Sequence, residues 1–423
     1  MSQNDKAHIL ELRLHGWLVG HLVGFNDGRN VLHFDHDFKM APNRPTFSLV
    51  TLPNFPNSAE LMAKPWIKRQ KLHPVLSNLL PEGALRELIA QGLKIHTDNE
   101  FLLLSYLGKD LPGAIVATPL GTKDVPKYLL NAHRDVHVLD FEADPAENRF
   151  SLAGVQMKFS MKEKDGRYNL IQGDPAEGEL GDWIIKTPST KHVEVPSNEY
   201  SAMKLAALVG VEIPEIKLVE LEKINPLPQI NLPHEKYAYA IKRFDRQMSH
   251  RIHMEDFAQI LVKYSHEKYR TVNYEQIGKV IYQFSGEGLA DAQQFARRLL
   301  VNILLGNGDA HLKNWSVVYR DKVTLRLSPA YDIVSTNVYI DGEKTFALNL
   351  GQTREWYQTT FAHFEYWANK ATIPWRAIEP HLHDVMDKAR ELWPKALEEL
   401  PMANAHKKKL CAHWSALQKD FRI

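Results

Sequence analysis

The chain has 423 residues, 44% of them apolar and 24% charged, which places it among globular proteins and excludes a disordered polypeptide. A formal net charge of +1 gives no general attraction to nucleic acid, so any DNA association should come through a partner or a local patch; the lysine run at residues 407–409 reads as a solvated helix face. A lone cysteine, Cys411, excludes an internal disulfide and a thiolate zinc cluster. With no signal-like start and no bilayer-length apolar run, a cytoplasmic protein without membrane association is expected.

Taken in chain order, residues 8–33 and 47–52 alternate and predict strands, while 74–92 and 100–108 have helical character, giving a small mixed domain over residues 1–120. A β-rich portion follows over residues 121–250. Within it, Phe150-Ser151-Leu152-Ala153-Gly154-Val155-Gln156-Met157-Lys158 runs into a hairpin that turns at Asp165-Gly166 and returns from Tyr168. The segment stands where a phosphate-covering loop belongs, although a single glycine does not make the G-x-G-x-x-G pattern and an ordinary strand entry fits as well. Trp183-Ile184-Ile185-Lys186 is a short apolar strand ending on a lysine able to meet α- and β-phosphates. Ser197 is positioned to cap a helix over 198–209 that stops at Gly210, with Glu199 in its first turn as a partner for Lys186. Residues 225–235 form a proline-containing loop. The strand after it leads into Phe244-Asp245-Arg246, where a hinge can offer backbone groups to adenine.

From residue 251 to 423 the pattern is mainly helical. Asp291 can cap a helix whose apolar positions Phe295, Leu299, Leu300, Ile303 and Leu304 share one face, and Gly306 stops it. Next comes Asn307-Gly308-Asp309-Ala310-His311-Leu312-Lys313-Asn314. An Asp followed five residues later by an Asn is the spacing of a phosphotransferase catalytic loop, in which the Asp receives a hydroxyl proton and the Asn holds magnesium. Strands over 315–319 and 323–327, joined by Arg320-Asp321-Lys322, lead to a second metal carboxylate, Asp332. Asn-Gly-Asp alone is a common turn; the hairpin, Asp332 and Lys186 make the set specific. A hydrolytic metal cluster of Asp309, His311 and Asp332 is the weaker reading, because such sites carry more His or Cys. Residues 346–350 form a further β stretch, and Trp375, Pro394 and Pro401 punctuate the last helices.

Together these motifs, with Asn198-Glu199-Tyr200, Arg243-Phe244-Asp245-Arg246, Tyr331-Asp332, Asn78-Leu79-Leu80-Pro81-Glu82-Gly83 and Gly108-Lys109-Asp110-Leu111-Pro112-Gly113-Ala114, resemble the HipA family of serine/threonine kinases, toxins of type II toxin–antitoxin modules. The resemblance implies an α+β, two-lobed protein-kinase-like fold: a β-rich N-terminal lobe with an accessory subdomain, and a mainly α-helical C-terminal lobe. It implies ATP and Mg2+ as cofactors, Asp309 as catalytic base, and Asn314 and Asp332 as magnesium ligands. Nucleotide contacts would come from Ser151, Ala153, Gly154, Val155, Gln156, Lys158, Lys186, Arg243, Phe244, His311, Lys313 and Tyr331. Ser151 is the expected autophosphorylation site, where about two added negative charges would repel the triphosphate. A helix-turn-helix antitoxin like HipB would hold the chain on operator DNA, and the substrate would be an aminoacyl-tRNA synthetase. Lys242 departs from an acidic residue in some relatives, and Met157 and Phe159 make the phosphate loop more apolar than expected. The rival readings are a small-molecule phosphotransferase of the aminoglycoside or choline kinase type and an inactive kinase-fold co-repressor.

Overall fold

In the computed structural model, β1 (Asp5–Leu14), β2 (Trp17–Phe25) and β3 (Arg29–Phe34) form an antiparallel meander whose alternating residues are buried on both faces. Leu10, Leu12 and Leu14 of β1 enter one apolar cluster and Ala7 and Ile9 another, as a strand's period of two requires. β4 (Trp66–Arg69) extends one edge; β5 (Ile115–Pro119) and β6 (Val136–Val138) both pair with β1. The structure describes residues 5–133, 136–141, 157–170, 180–225, 232–247, 250–269 and 271–423.

Two local expectations in this region fail. The strand expected at 47–52 is a 3-10 turn, Leu49–Thr51, because the Leu49 amide donates to Glu255 Oε2 at 2.8 Å instead of to a neighbouring strand. The helical stretch expected over 74–92 splits into Pro74–Ser77 and Gly83–Gly92. Pro81 cannot donate a helical hydrogen bond and holds its predecessor extended, so the chain breaks there and Glu82 becomes an extended N-cap.

The second sheet contains β7 (Lys158–Lys164), β8 (Arg167–Leu170), β9 (Trp183–Lys186), β10 (Ile216–Glu220), β11 (Ile224–Asn225) and β12 (Tyr237–Lys242), in the order β10-β12-β9-β7-β8-β11. Asp165 and Gly166 join β7 to β8 with φ of 53° and 74°, the doubly left-handed turn that matches strand twist. Register sets Lys158 opposite Lys186. The following helix is Val195–Leu208, starting before Ser197: Pro196 fills its first turn, Glu194 is the N-cap, and the Ser197 hydroxyl donates to the Glu194 carboxylate at 3.0 Å instead of capping.

The C-terminal lobe packs helices Tyr274–Phe284, Gly288–Leu304, Phe361–Lys370, Trp375–Glu399 and Asn404–Ala416 around one large core. Asp291 does not cap its helix, which begins at Gly288; its carboxylate accepts from the Leu327 amide at 2.8 Å and pairs with Arg326 at 3.0 Å, tying the helix to the hairpin. That hairpin is shorter than expected, Ser316–Tyr319 with Arg326–Leu327, because Asp321 Oδ1 accepts from the amides of Val323 and Thr324 and turns them out of the strand. Pro394 ends nothing: helix Trp375–Glu399 runs through it and through Pro380, its buried stripe from Ile378 to Leu397 outweighing the lost backbone bonds. The indole of Trp393 donates to Leu205 O at 2.9 Å and that of Trp414 to Leu304 O at 2.8 Å, so the last helices brace both the β-rich lobe and the helix before the catalytic loop. No described helix is long and apolar enough to cross a membrane.

Candidate active site

A cleft of about 2140 Å³ opens where the first sheet, the second sheet and the helical lobe meet. It exceeds the usual small-ligand pocket of about 300–1,000 Å³, leaving room for two reactants. Lys158, Lys186, Asp309, Asn314, Tyr331 and Asp332 all line it.

Lys186, at the end of β9, is buried, and its ammonium donates to Glu199 of helix Val195–Leu208 and to Asp332 Oδ1. Lys158, its neighbour across the sheet, reaches Asp332 Oδ2 at 2.9 Å. Burial works to raise Asp332, but the two lysines hold it well below the usual carboxylate range. Partial desolvation works to lower the Lys158 ammonium, although its side chain is 48% exposed; Asp332, Glu199 and Asp309 outweigh it and raise the group. Burial pushes Glu199 up against the pull of Lys186, and nearby Asp332 adds to the rise. Asp332 has φ of 53°, a left-handed conformation that Asp and Asn adopt more readily than bulkier residues. Asn307 Nδ2 donates to Asn302 Oδ1 at 2.7 Å and lies 3.4 Å from Asp332 O, linking the end of helix Gly288–Leu304 to that turn.

The octapeptide Asn307–Asn314 folds on itself. Asn307 Oδ1 accepts from the Asp309 amide at 3.0 Å, Gly308 N donates to Thr336 Oγ1 at 2.7 Å, and Asn314 Nδ2 donates to Asp309 O at 2.7 Å. Buried Arg298 donates to Asn314 O at 2.7 Å and lies over the Trp315 ring, fixing the far end. The Asp309 side chain is 47% exposed; its Oδ1 accepts from the Tyr269 hydroxyl and lies 3.8 Å from His311 Nε2. Burial lowers His311 to about 4, with Asp309 opposing, so a neutral imidazole faces the carboxylate.

Residues 150–393 match the family model of the HipA-like C-terminal domain, and residues 10–118 that of the HipA N-terminal domain. The chain belongs to the HipA family. A Sinorhizobium fredii protein named "Putative kinase Y4dM" is 38% identical over 94% of each chain. The "Serine/threonine-protein kinase toxin HipA" of Shewanella oneidensis is 27% identical over 64% of this chain and 65% of its own length. The solved structure of Shewanella oneidensis HipA with HipB and its operator DNA matches with a TM-score of 0.70, covering 96% of this chain and 97% of that one at 20% identity. The two-lobed, kinase-like α+β fold expected from the sequence is therefore the fold observed, and kinase is the general class of the enzyme.

Against this HipA-family background the expected site residues separate. Lys158, Lys186, Asn314, Tyr331 and Asp332 line one cleft with Asp309 and His311, and Phe244 lies beside Tyr331 with ring centroids 5.6 Å apart. The Tyr331 hydroxyl donates to Lys313 O at 2.8 Å, so the ring is held by the catalytic loop. Ser151, Ala153, Gly154, Val155 and Gln156 lie outside the described residues. Arg243 lines the cleft, but its guanidinium is buried against Asp245 at 2.7 Å and Ser160 at 2.8 Å. Lys313 also lines the cleft, where its ammonium meets Asn78 O at 2.9 Å and Glu82 Oε1 at 2.8 Å. Lys242 pairs at 3.4 Å with Glu215. Sequence reasoning missed Tyr269 entirely, since no spacing ties it to Asp309. It noted the Asn78–Gly83 segment only as part of a resemblance, without a contact to assign.

Proposed function

We propose that this chain is an ATP- and Mg2+-dependent serine/threonine protein kinase, autophosphorylating on Ser151 and acting as the growth-arrest toxin of a toxin–antitoxin pair. Asp309 is the base, Asn314 and Asp332 the magnesium ligands, and Lys186 the phosphate lysine. The observation that carries the reading is the convergence of two strand lysines, the Asp332 carboxylate they share and the Asp309–Asn314 loop on one cleft. The donor chemistry fits: carboxylate and amide oxygens suit magnesium, and ammonium groups suit phosphates. ATP supplies the phosphoryl group, and Mg2+ neutralises its charge. Lys158 and Lys186, both paired with Asp332, would be the groups to receive phosphate oxygens, and Asp332 with Asn314 would hold the cation. Asp309 accepts the proton of the acceptor hydroxyl, and Tyr269 and His311, both at Oδ1, leave Oδ2 as the accepting atom. Glu199 keeps Lys186 in place throughout.

By family likeness, a helix-turn-helix antitoxin like HipB is the partner through which operator DNA is reached, and an aminoacyl-tRNA synthetase is the protein substrate. The division at residues 120 and 250 belongs to the same proposal.

Phosphopeptide mapping of cells expressing the wild type, Asp309→Asn and Ser151→Ala tests it. Asp309→Asn should lose transfer by at least about 10²-fold while retaining ATP binding, since it removes the proton acceptor and not the phosphate clamp. Ser151→Ala should lose its own label and keep transfer to the substrate. Loss of ATP binding by a folded Asp309→Asn chain contradicts the base assignment.

A further inference from the structure

Glu82 belongs to the HipA N-terminal domain, yet it lines the catalytic cleft. Its Oε1 lies 2.8 Å from Lys313 Nζ and its Oε2 2.8 Å from Lys268 Nζ. Each lysine sits on a backbone segment that holds Asp309. Lys268 precedes Tyr269, whose hydroxyl donates to Asp309 Oδ1; Lys313 precedes Asn314, whose amide donates to Asp309 O. One carboxylate therefore clasps the two segments from which the expected base takes its hydrogen bonds.

The support beneath Glu82 is rigid. The break at Pro81 fixes it at the start of helix Gly83–Gly92, and Asn78, one turn earlier, donates through Nδ2 to Pro74 O at 2.9 Å and to Lys263 O at 2.8 Å. Gln259 Nε2 donates to Val75 O at 2.7 Å, closing the contact from the lobe side. The Lys268 and Lys313 side chains are only 19% and 15% exposed, and beyond Glu82 Lys313 has Asp256 at 3.7 Å, so loss of Glu82 would leave the two poorly hydrated ammonium groups short of counter-charge on this side of the cleft.

We propose that Glu82 is a positioning residue of the phosphoryl-transfer centre: by neutralising Lys268 and Lys313 together it holds Tyr269 and Asn314 against Asp309, so that the N-terminal domain completes the acceptor half of the active site. This rests on the kinase reading of Asp309 and Asn314. It also gives the Asn78–Gly83 motif a chemical task.

The test compares the full-length wild type, Glu82→Gln and Glu82→Asp. In Glu82→Gln, kcat falls about 10-fold or more, as expected for a small displacement of reacting groups. KM for ATP stays level or drops, because two released ammonium groups attract triphosphate; Glu82→Asp regains part of kcat. Without nucleotide, backbone amides of residues 264–269 and 309–314 exchange hydrogen faster in Glu82→Gln, while those of β1, β2 and β5 do not. Unchanged exchange in both segments overturns the proposal, as does faster exchange throughout the N-terminal domain with a raised KM, the signature of a general packing role. A wild type that transfers no phosphate sinks the kinase reading instead, and the exchange comparison still decides whether Glu82 holds the two segments.

Discussion

Lys186 is shared by two carboxylates, of which Glu199 is the more deeply buried, and removal of the lysine strands it. Lys186→Ala should therefore destabilise the fold by about 3–5 kcal/mol, the range for breaking a buried pair from one side. Adding Glu199→Gln should recover much of that loss, because a neutral amide needs no counter-charge. Urea unfolding of the single and double variants measures it, and equal stabilities would show that Glu199 is otherwise accommodated. This pair was legible in the sequence, from a lysine closing an apolar strand and an acid in the next helix's first turn. The surroundings of Lys313 were not: its ammonium is held by Glu82 and Asn78, which only the folded chain brings near.

At the level of elements, the helix, loop and hairpin around Asp309 could be read from apolar periodicity and breakers, and their ends could not. Asp291 and Ser197 both have the side chains of N-caps, yet Arg326 draws the first into an ion pair, and Pro196 starts the second helix earlier. Pro394 reads as a breaker and is overruled by a buried stripe that spans it. Gly306 is a case where the residue type fully specifies the geometry: its φ is 60°, and an added Cβ would collide with the Asn337 amide. Gly306→Ala should cost at least about 1–2 kcal/mol from the left-handed backbone alone. Because Asn307 hangs from the same turn, phosphoryl transfer should fall too. Denaturant titration beside a turnover assay checks both, and wild-type stability would mean the turn relaxes without strain.

For the molecule as a whole, composition and pattern gave the class and the order of the parts but not how they dock, since no periodicity announces that residues near 49 will meet residues near 255. Glu255 sits in that joint, accepting from Leu49 N at 2.8 Å and the Tyr319 hydroxyl at 2.6 Å, and burial pushes its carboxyl up to about 7. Unfolded, a glutamate titrates near about 4.3. Between that value and about 7 the folded state keeps a proton that the unfolded chain releases, so the contribution of Glu255 to stability is present at the acid end and is lost as pH rises through the window. Melting temperatures of wild type and Glu255→Gln should accordingly converge or cross over this range, the wild type losing ground as pH rises; parallel curves would show that Glu255 is already ionised in the fold. The walls of the cleft, finally, come from residue 8 at one extreme and 332 at the other, and the tryptophans at 393 and 414 brace them. A nascent polypeptide thus carries no fully braced cleft until Trp414 has been translated, a delay on the order of tens of seconds at ordinary rates of synthesis.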